Sequence, residues 1–250
     1  MNRLLIASLN RFGPLGDADR DYLLMCSQTI TPFEAGQRIF GAGERSRLRL
    51  LARGLAVKQR LLADGGRQIF GIAVPGDLID LCALFVGADH EVVALGACEV
   101  RAMSAREVRS MVRDQPSLLA VLCRAVLTEA QTQRHWMVGL GRRTAPARTA
   151  NLLCEIYWRQ NTLQLAQDGR CAFPVVQSDI ADALGLSLVH THRVLRTLRE
   201  EGLAMVRHGV LEIQDWDRLA ALGAFHPDDL RPHQDLADRL AAPRSTRARV

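Results

Sequence analysis

The 250-residue chain has one lysine, Lys58, among 32 basic residues, so its positive charge is almost wholly arginine. A bias that uniform reflects base composition rather than a dedicated phosphate clamp. Six cysteines (Cys26, Cys82, Cys98, Cys123, Cys154 and Cys171) are scattered without a C-x-x-C pair. That spacing excludes a zinc knuckle and a disulfide framework and marks most of them as small buried apolar residues. No apolar run approaches the roughly 18 residues of a membrane span. The opening MNRLLIASLNRFG lacks both a long apolar region and a small-residue cleavage site, which predicts a cytoplasmic protein with no membrane partner. Repeats and low-complexity tracts are missing too, and with 48% hydrophobic residues the chain is predicted to fold as two domains. An enzyme needs a nucleophile with its base, or metal ligands. His190 and His192 lie two apart on a predicted helix and point in different directions, so they cannot chelate one ion. No catalytic residue, metal or cofactor is expected.

What is present is a helix pair. Residues 177–200, QSDIADALGLSLVHTHRVLRTLRE, place Ile180, Leu184, Leu186, Val194 and Leu198 on inward faces. Small Ala181 permits close helix approach, and Gly185 supplies a tight turn. Ser187 stands at an N-cap, so the second helix should begin at Leu188. This spacing predicts a helix-turn-helix, whose second helix enters a DNA major groove with Leu188, Val189, His192, Arg193 and Arg196 outermost. An ordinary amphipathic pair inside a helical enzyme would share the spacing. Thr191 falls where an apolar residue would pack best, so its hydroxyl should find a backbone partner or water. Residues 203–213, LAMVRHGVLEI, read as a hairpin turning at His208-Gly209, which would make a winged helix with Arg207 and His208 at its tip.

Upstream, Pro116 suits a first helical position, and the next glycine is Gly139. Leu119, Cys123, Val126, Ala130, Gln133, Met137 and Leu140 recur at alternating spacings of four and three, a coiled-coil seam. The seam calls for a partner helix, in a second subunit or within the chain's own domain. A second stripe, Leu118, Leu122 and Leu127, is expected to face the N-terminal domain. There, glycines interrupt short apolar runs at residues 49–51, 56–62, 68–74 and 91–95, with Asp64-Gly65 the clearest turn. Regular short strands of this kind predict a sandwich, barrel or roll. Residues 14–27 read as a short helix.

The order of parts resembles the Crp/Fnr family of bacterial transcription regulators. The likeness is carried by AGQRIF at 35–40 with Gly43-Glu44, LLARG at 50–54, DGGR at 64–67, PGDL at 75–78, ACEV at 97–100, and residues 179–193. It spans roughly residues 12 to 220. The resemblance implies an α+β fold: an N-terminal antiparallel β-roll similar to the cyclic-nucleotide-binding jelly roll, a long dimerisation helix and a C-terminal winged helix-turn-helix. The expected divisions are residues 1–112 for the sensor, 113–143 for the helix, 144–220 for the DNA-binding domain and 221–250 for a mobile tail. It further implies a homodimer on palindromic double-stranded DNA, with RNA polymerase as a further partner and activation as the commoner mode.

Departures from the family matter as much. Cyclic-AMP-responsive members use a glutamate for the ribose and an Arg-Ser/Thr pair for the phosphate. Here the glutamate position falls on Leu81 and the phosphate positions fall near Ala88 and Asp89, and no arginine stands between Arg67 and Arg101. A carboxylate repels a phosphate, so cyclic AMP is not expected to bind in the usual manner. Asp80, Leu81, Asp89 and His90 are the candidate effector-pocket residues, with His90 read as an exposed loop histidine rather than a haem ligand. Cys26 alone offers too few thiolates for an iron-sulfur cluster. Three possibilities stay open: another effector, a redox thiol such as Cys26 or Cys82, or none. On the recognition helix Arg193 matches a family arginine, whereas Val189 replaces the usual glutamate, which implies a half-site unlike TGTGA or TTGAT. Ser187 and Arg196 are expected at phosphates. The alternative to a DNA regulator is a cyclic-nucleotide-like module that controls a protein partner.

Overall fold

A computed structural model describes residues 2–230 apart from 42, 45, 46 and 80. Short strands dominate the first half: β1 (Thr29–Phe33), β2 (Arg38–Phe40), β3 (Arg47–Arg53), β4 (Ala56–Leu61), β5 (Arg67–Ala73), β6 (Leu78–Ile79), β7 (Glu91–Ala94) and β8 (Cys98–Ser104). They form two antiparallel four-stranded sheets, ordered β1-β8-β3-β6 and β2-β7-β4-β5. Alternation along β7 and β8 sends every second side chain inward. Phe40, Leu51, Ile79, Val92 and Val100 fill the space between the sheets. The β4–β5 turn is the one the sequence marked: Gly65 takes φ +83 and Asp64 Oδ1 accepts from the Gly66 amide at 2.9 Å.

Helices wrap one side of this roll. They are α1 (Arg3–Asn10), α2 (Asp17–Met25), α3 (Ala83–Val86), α4 (Ala105–Asp114), α5 (Ser117–Arg142) and α6 (Ala145–Asn161). Ser104 and Glu107 cap α4 reciprocally: the Ser104 hydroxyl accepts from the Glu107 amide, and Glu107 Oε2 accepts from the Ser104 amide at 2.6 Å. The expected helix division, 113–143, takes in the end of α4, a break and all of α5. Pro116 forces the break, because the residue before a proline is driven out of the helical region, and Gln115 sits at φ −133, ψ 80.

Along α5, Leu118, Val121, Leu122, Ala125 and Thr128 are buried, the apolar ones against Leu5, Leu9, Leu23 and Met111. Leu127 does not join them; it is 66% exposed. Nine residues beyond Leu118 is about two and a half helical turns, which carries it to the opposite side. There it flanks the predicted seam, where Leu119, Cys123, Gln133, Met137 and Leu140 are exposed and Val126 and Ala130 half-buried.

The second half comprises β9 (Arg170–Ala172), α7 (Gln177–Leu184), α8 (Leu188–Glu200), β10 (Ala204–Arg207), β11 (Val210–Ile213), α9 (Trp216–Gly223) and a 3-10 turn, Pro227–Leu230. The part of the expected mobile tail that is described, residues 221–230, is packed. Phe225 is buried edge-on to Trp216, and Leu230 lies against the apolar core. Gly223 explains the close fit, since a Cβ there would stand 2.6 Å from the Asn151 nitrogen of α6. Residues 231–250 lie outside the described residues.

The two halves share a core. Ile180, Leu184, Val194 and Leu198 continue into Leu55, Val57, Ile69 and Ile72 of the roll without interruption. Two ion-pair clasps reinforce the contact. Arg67, at the head of β5, reaches Asp179 and Asp182 of α7, both at 2.6 Å. Buried Asp77, in the turn after β5, pairs with Arg159 of α6 and with Arg11 beyond α1 at 3.2 Å, and accepts from the Val74 amide at 2.7 Å. Burial pushes the Asp77 carboxyl up, but Arg159 and then Arg11 outweigh it and hold it below the usual range.

A folded-state pKa below the unfolded value of about 3.9 means that the clasp stabilises fully at neutral pH and is lost as pH falls through the lower folded value. Asp77→Ala should cost about 3 kcal/mol, because two arginines are left without their counter-charge. Urea unfolding between pH 7 and pH 3 measures both effects, and Asp77→Asn should flatten the acid limb.

Candidate functional site

The helix pair forms as its residues require. Gly185 ends α7 in the left-handed region at φ +59, and the chain re-enters a helix at Ser187, whose Oγ accepts from the His190 amide at 3.2 Å. Val194 and Leu198 pin α8 from beneath. Its other face is open: Leu188 is 55% exposed, Val189 is 70% exposed, and His192 and Arg193 are exposed beside them. Arg196 is also exposed, but its Nε donates to Glu200 at 2.7 Å, so a phosphate must compete with that pair. At the wing, His208 and Gly209 take φ +50 and +75, the two positive values that a tight hairpin turn needs. Arg207 and His208 stand exposed at its tip. β9 supplies a third strand to the wing sheet, ordered β10-β11-β9, and the sequence reading missed it because three residues carry no usable period.

Thr191 is fully buried on the inner side of α8, and its hydroxyl has no protein hydrogen-bond partner among the described residues.

Among the described effector-pocket candidates, Leu81 does not share a cavity wall with Asp89 and His90. Asp80 lies outside the described residues. Leu81 is buried and lines a cavity of about 620 Å³ between the roll, α5 and α6, whereas neither Asp89 nor His90 belongs to its wall. His90 is not the exposed loop residue expected. Its side chain is only 11% exposed, packed edge-on to Phe40 and Phe70 at centroid distances of 5.9 and 5.0 Å, with Nδ1 3.0 Å from Asp89. The hydrogen bond from His90 in turn holds the Asp89 carboxyl below its usual range.

Aromatic Phe12, Phe70, Trp136 and Trp158 line the cavity along with three basic groups. All three basic groups are matched by acids: Lys58 with Glu129 of α5, Arg11 with Asp77, and Arg159 with both Asp77 and Glu155. Trp136 Nε1 donates to Glu155 at 2.7 Å. The sequence reading noticed Lys58 for its rarity but missed the pairing, since the partners are far apart along the chain.

The cysteines divide differently from the reading as mostly buried. Cys98, Cys154 and Cys171 are buried, Cys26 and Cys82 half-buried, and Cys123 exposed on the α5 seam. Burial pushes the Cys154 and Cys171 thiols up to about 12, and raises Cys26 and Cys98 as well, which works against thiolate chemistry at neutral pH. Among the described residues no helix is long and apolar enough to cross a membrane, and no three His, Cys, Asp or Glu side chains gather as metal ligands.

A β-roll with a cavity where it meets α5 and α6, joined by a long helix to a winged helix with its second helix exposed, defines a class: regulators that couple a sensor domain to DNA. Comparison with known proteins agrees. Residues 147–222 match the Crp-like helix-turn-helix domain, and residues 30–115 match the cyclic nucleotide-binding domain. The nitrogen fixation regulation protein FixK of Bradyrhizobium diazoefficiens is 32% identical over 66% of this chain and 69% of its own. The transcriptional activator protein FnrL of Cereibacter sphaeroides is 27% identical over 75% of this chain and 77% of its own. The structure of FixK2 from Bradyrhizobium japonicum superposes with a TM-score of 0.71 at 25% identity, covering 80% of this chain and all of that one. The chain belongs to the Crp/Fnr family and is a DNA-binding transcription regulator, with the dimeric architecture that membership implies.

Thr191→Val keeps the shape and removes the unmatched hydroxyl, so it should raise stability by about 1 kcal/mol. Urea unfolding checks this, and a loss of stability would mean that the hydroxyl is satisfied after all.

Proposed function

We propose that two copies pair along α5 and bind a two-fold symmetric promoter site in the cytoplasm, with α8 of each in successive major grooves. The observation that carries this reading is the open face of α8: Leu188, Val189, His192 and Arg193 are exposed above a fully anchored base. Arg193 reads a guanine through O6 and N7, and Val189 meets a thymine methyl where a carboxylate would have met a cytosine amine. Ser187, Arg196, Arg207 and His208 serve the backbone, and Leu188 and His192 add base or sugar contacts. The mode is activation through RNA polymerase, since FnrL and AadR, two of the relatives, are named as activators.

Pairing uses Leu119, Cys123, Val126, Ala130, Gln133, Met137 and Leu140, widened by Leu127. The exposure of Leu119, Cys123, Leu127, Gln133, Met137 and Leu140 in a single subunit is what an unpaired seam would show. The sensor cavity does not take cyclic AMP in the family's usual manner. Lys58, Arg11 and Arg159 are each neutralised by a carboxylate, which removes the free cation a cyclic phosphate requires.

Selection of bound duplexes from a random library should yield a palindrome with half-sites about 34 Å apart centre to centre. Arg193→Ala should cost about 1 to 3 kcal/mol and relax the preference at one base pair of each half-site; an unchanged preferred sequence would refute the assignment. Cys123→Arg, which puts a charge into the seam, should shift the sedimentation coefficient to that of a monomer.

A further inference from the structure

The helix pair and wing carry no excess of fixed positive charge along their sequence. Residues 177–213 hold four arginines against five carboxylates and no lysine. Arg196 is tied to Glu200 at 2.7 Å. What the leading edge has instead is imidazole: His190 and His192 in the first two turns of α8 and His208 at the wing tip, all three exposed. His190 was not among the residues the sequence singled out for DNA. Its amide is committed to Ser187 Oγ, and its side chain is exposed in the first turn of the helix that enters the groove.

The charged groups around these rings are accounted for. On α8 itself stand Arg193, Arg199 and the Arg196–Glu200 pair, with Glu201 just past the far end of the helix. On α7, Asp179 and Asp182 are both engaged by Arg67. On the wing, His208 follows Arg207, and Glu212 pairs with Arg170 at 3.0 Å. The carboxylates of α7 and of the wing are thus already matched by arginines, while a duplex brings a dense row of new anions.

Resting on the DNA reading above, we propose that His190, His192 and His208 lie within the field of the phosphate backbone in the complex and are held there as imidazolium, so that binding DNA takes up protons. Free imidazole titrates at about 6.5, and a nearby phosphate favours the charged form. The bound-state pKa is then above the free one. Affinity therefore rises as pH falls through the bound value, and the gain is complete below the free value.

The test uses the full chain and the duplex recovered by selection, at fixed ionic strength. Fluorescence anisotropy should show affinity rising at least about tenfold from pH 8 to pH 6. Calorimetry in buffers of different ionisation enthalpy should show proton uptake at neutral pH. Replacing the three residues together (His190→Gln, His192→Gln, His208→Gln) should flatten the pH slope and abolish the uptake, while His226→Gln, on the C-terminal turn, should leave both intact. Sequence-specific binding with a flat pH profile overturns the proposal and spares the DNA reading, and so does a slope that survives the triple replacement. Failure to bind duplex DNA at any pH overturns both.

Discussion

One buried carboxylate holds the molecule's layers in register. Asp77 lies in the turn that closes β5, yet its partners are Arg159 on α6 and Arg11 after α1. Placing a charge there is costly, and it is tolerated because two guanidinium groups and the Val74 amide surround it. The roll, the helix that opens the DNA-binding domain and the N-terminal helical cover therefore meet at one electrostatic point. Arg159 extends the chain of contacts to Glu155, which also receives the Trp136 indole of α5. Sensor wall, seam helix and DNA-binding domain are mechanically contiguous through these groups.

The same helix serves two masters. One side of α5 is pressed into the roll through Leu118, Val121 and Leu122, and the other presents Leu119, Cys123 and Met137 outward. Its middle, at Thr128, Glu129 and Thr132, lines the cavity, with Glu129 bonded to Lys58 of β4. A contact made in the cavity is thus one helix diameter from the outward face of α5.

Much of this was legible in the residues. The helix pair, its Ser187 cap, the turn glycine and the wing turn at His208-Gly209 follow from local rules, because each needs only a few adjacent side chains. The strands of the roll at 49–51, 56–62, 68–74 and 91–95 were readable from glycine punctuation. Errors arose where three-dimensional neighbours decide. Leu127 matched an apolar stripe by eye, but not by helical angle. Phe225 falls within the expected tail because its partner Trp216 and the bare Gly223 backbone contact are invisible to composition. His90 was judged by its polar loop, whereas Phe40 and Phe70 come from two distant strands to cover it. The Lys58–Glu129 and Arg67–Asp179 pairs join segments that no local pattern connects.

Arg67 grips two carboxylates that lie three residues apart, on one face of a single turn of α7. A fork of that shape fits one rotational position of the helix and no other nearby, because a slip by one residue swings both acids away together. The reading head thus sits in a notch rather than on a smooth bearing. Any reorientation against the sensor would be abrupt, with both bonds released in the same step.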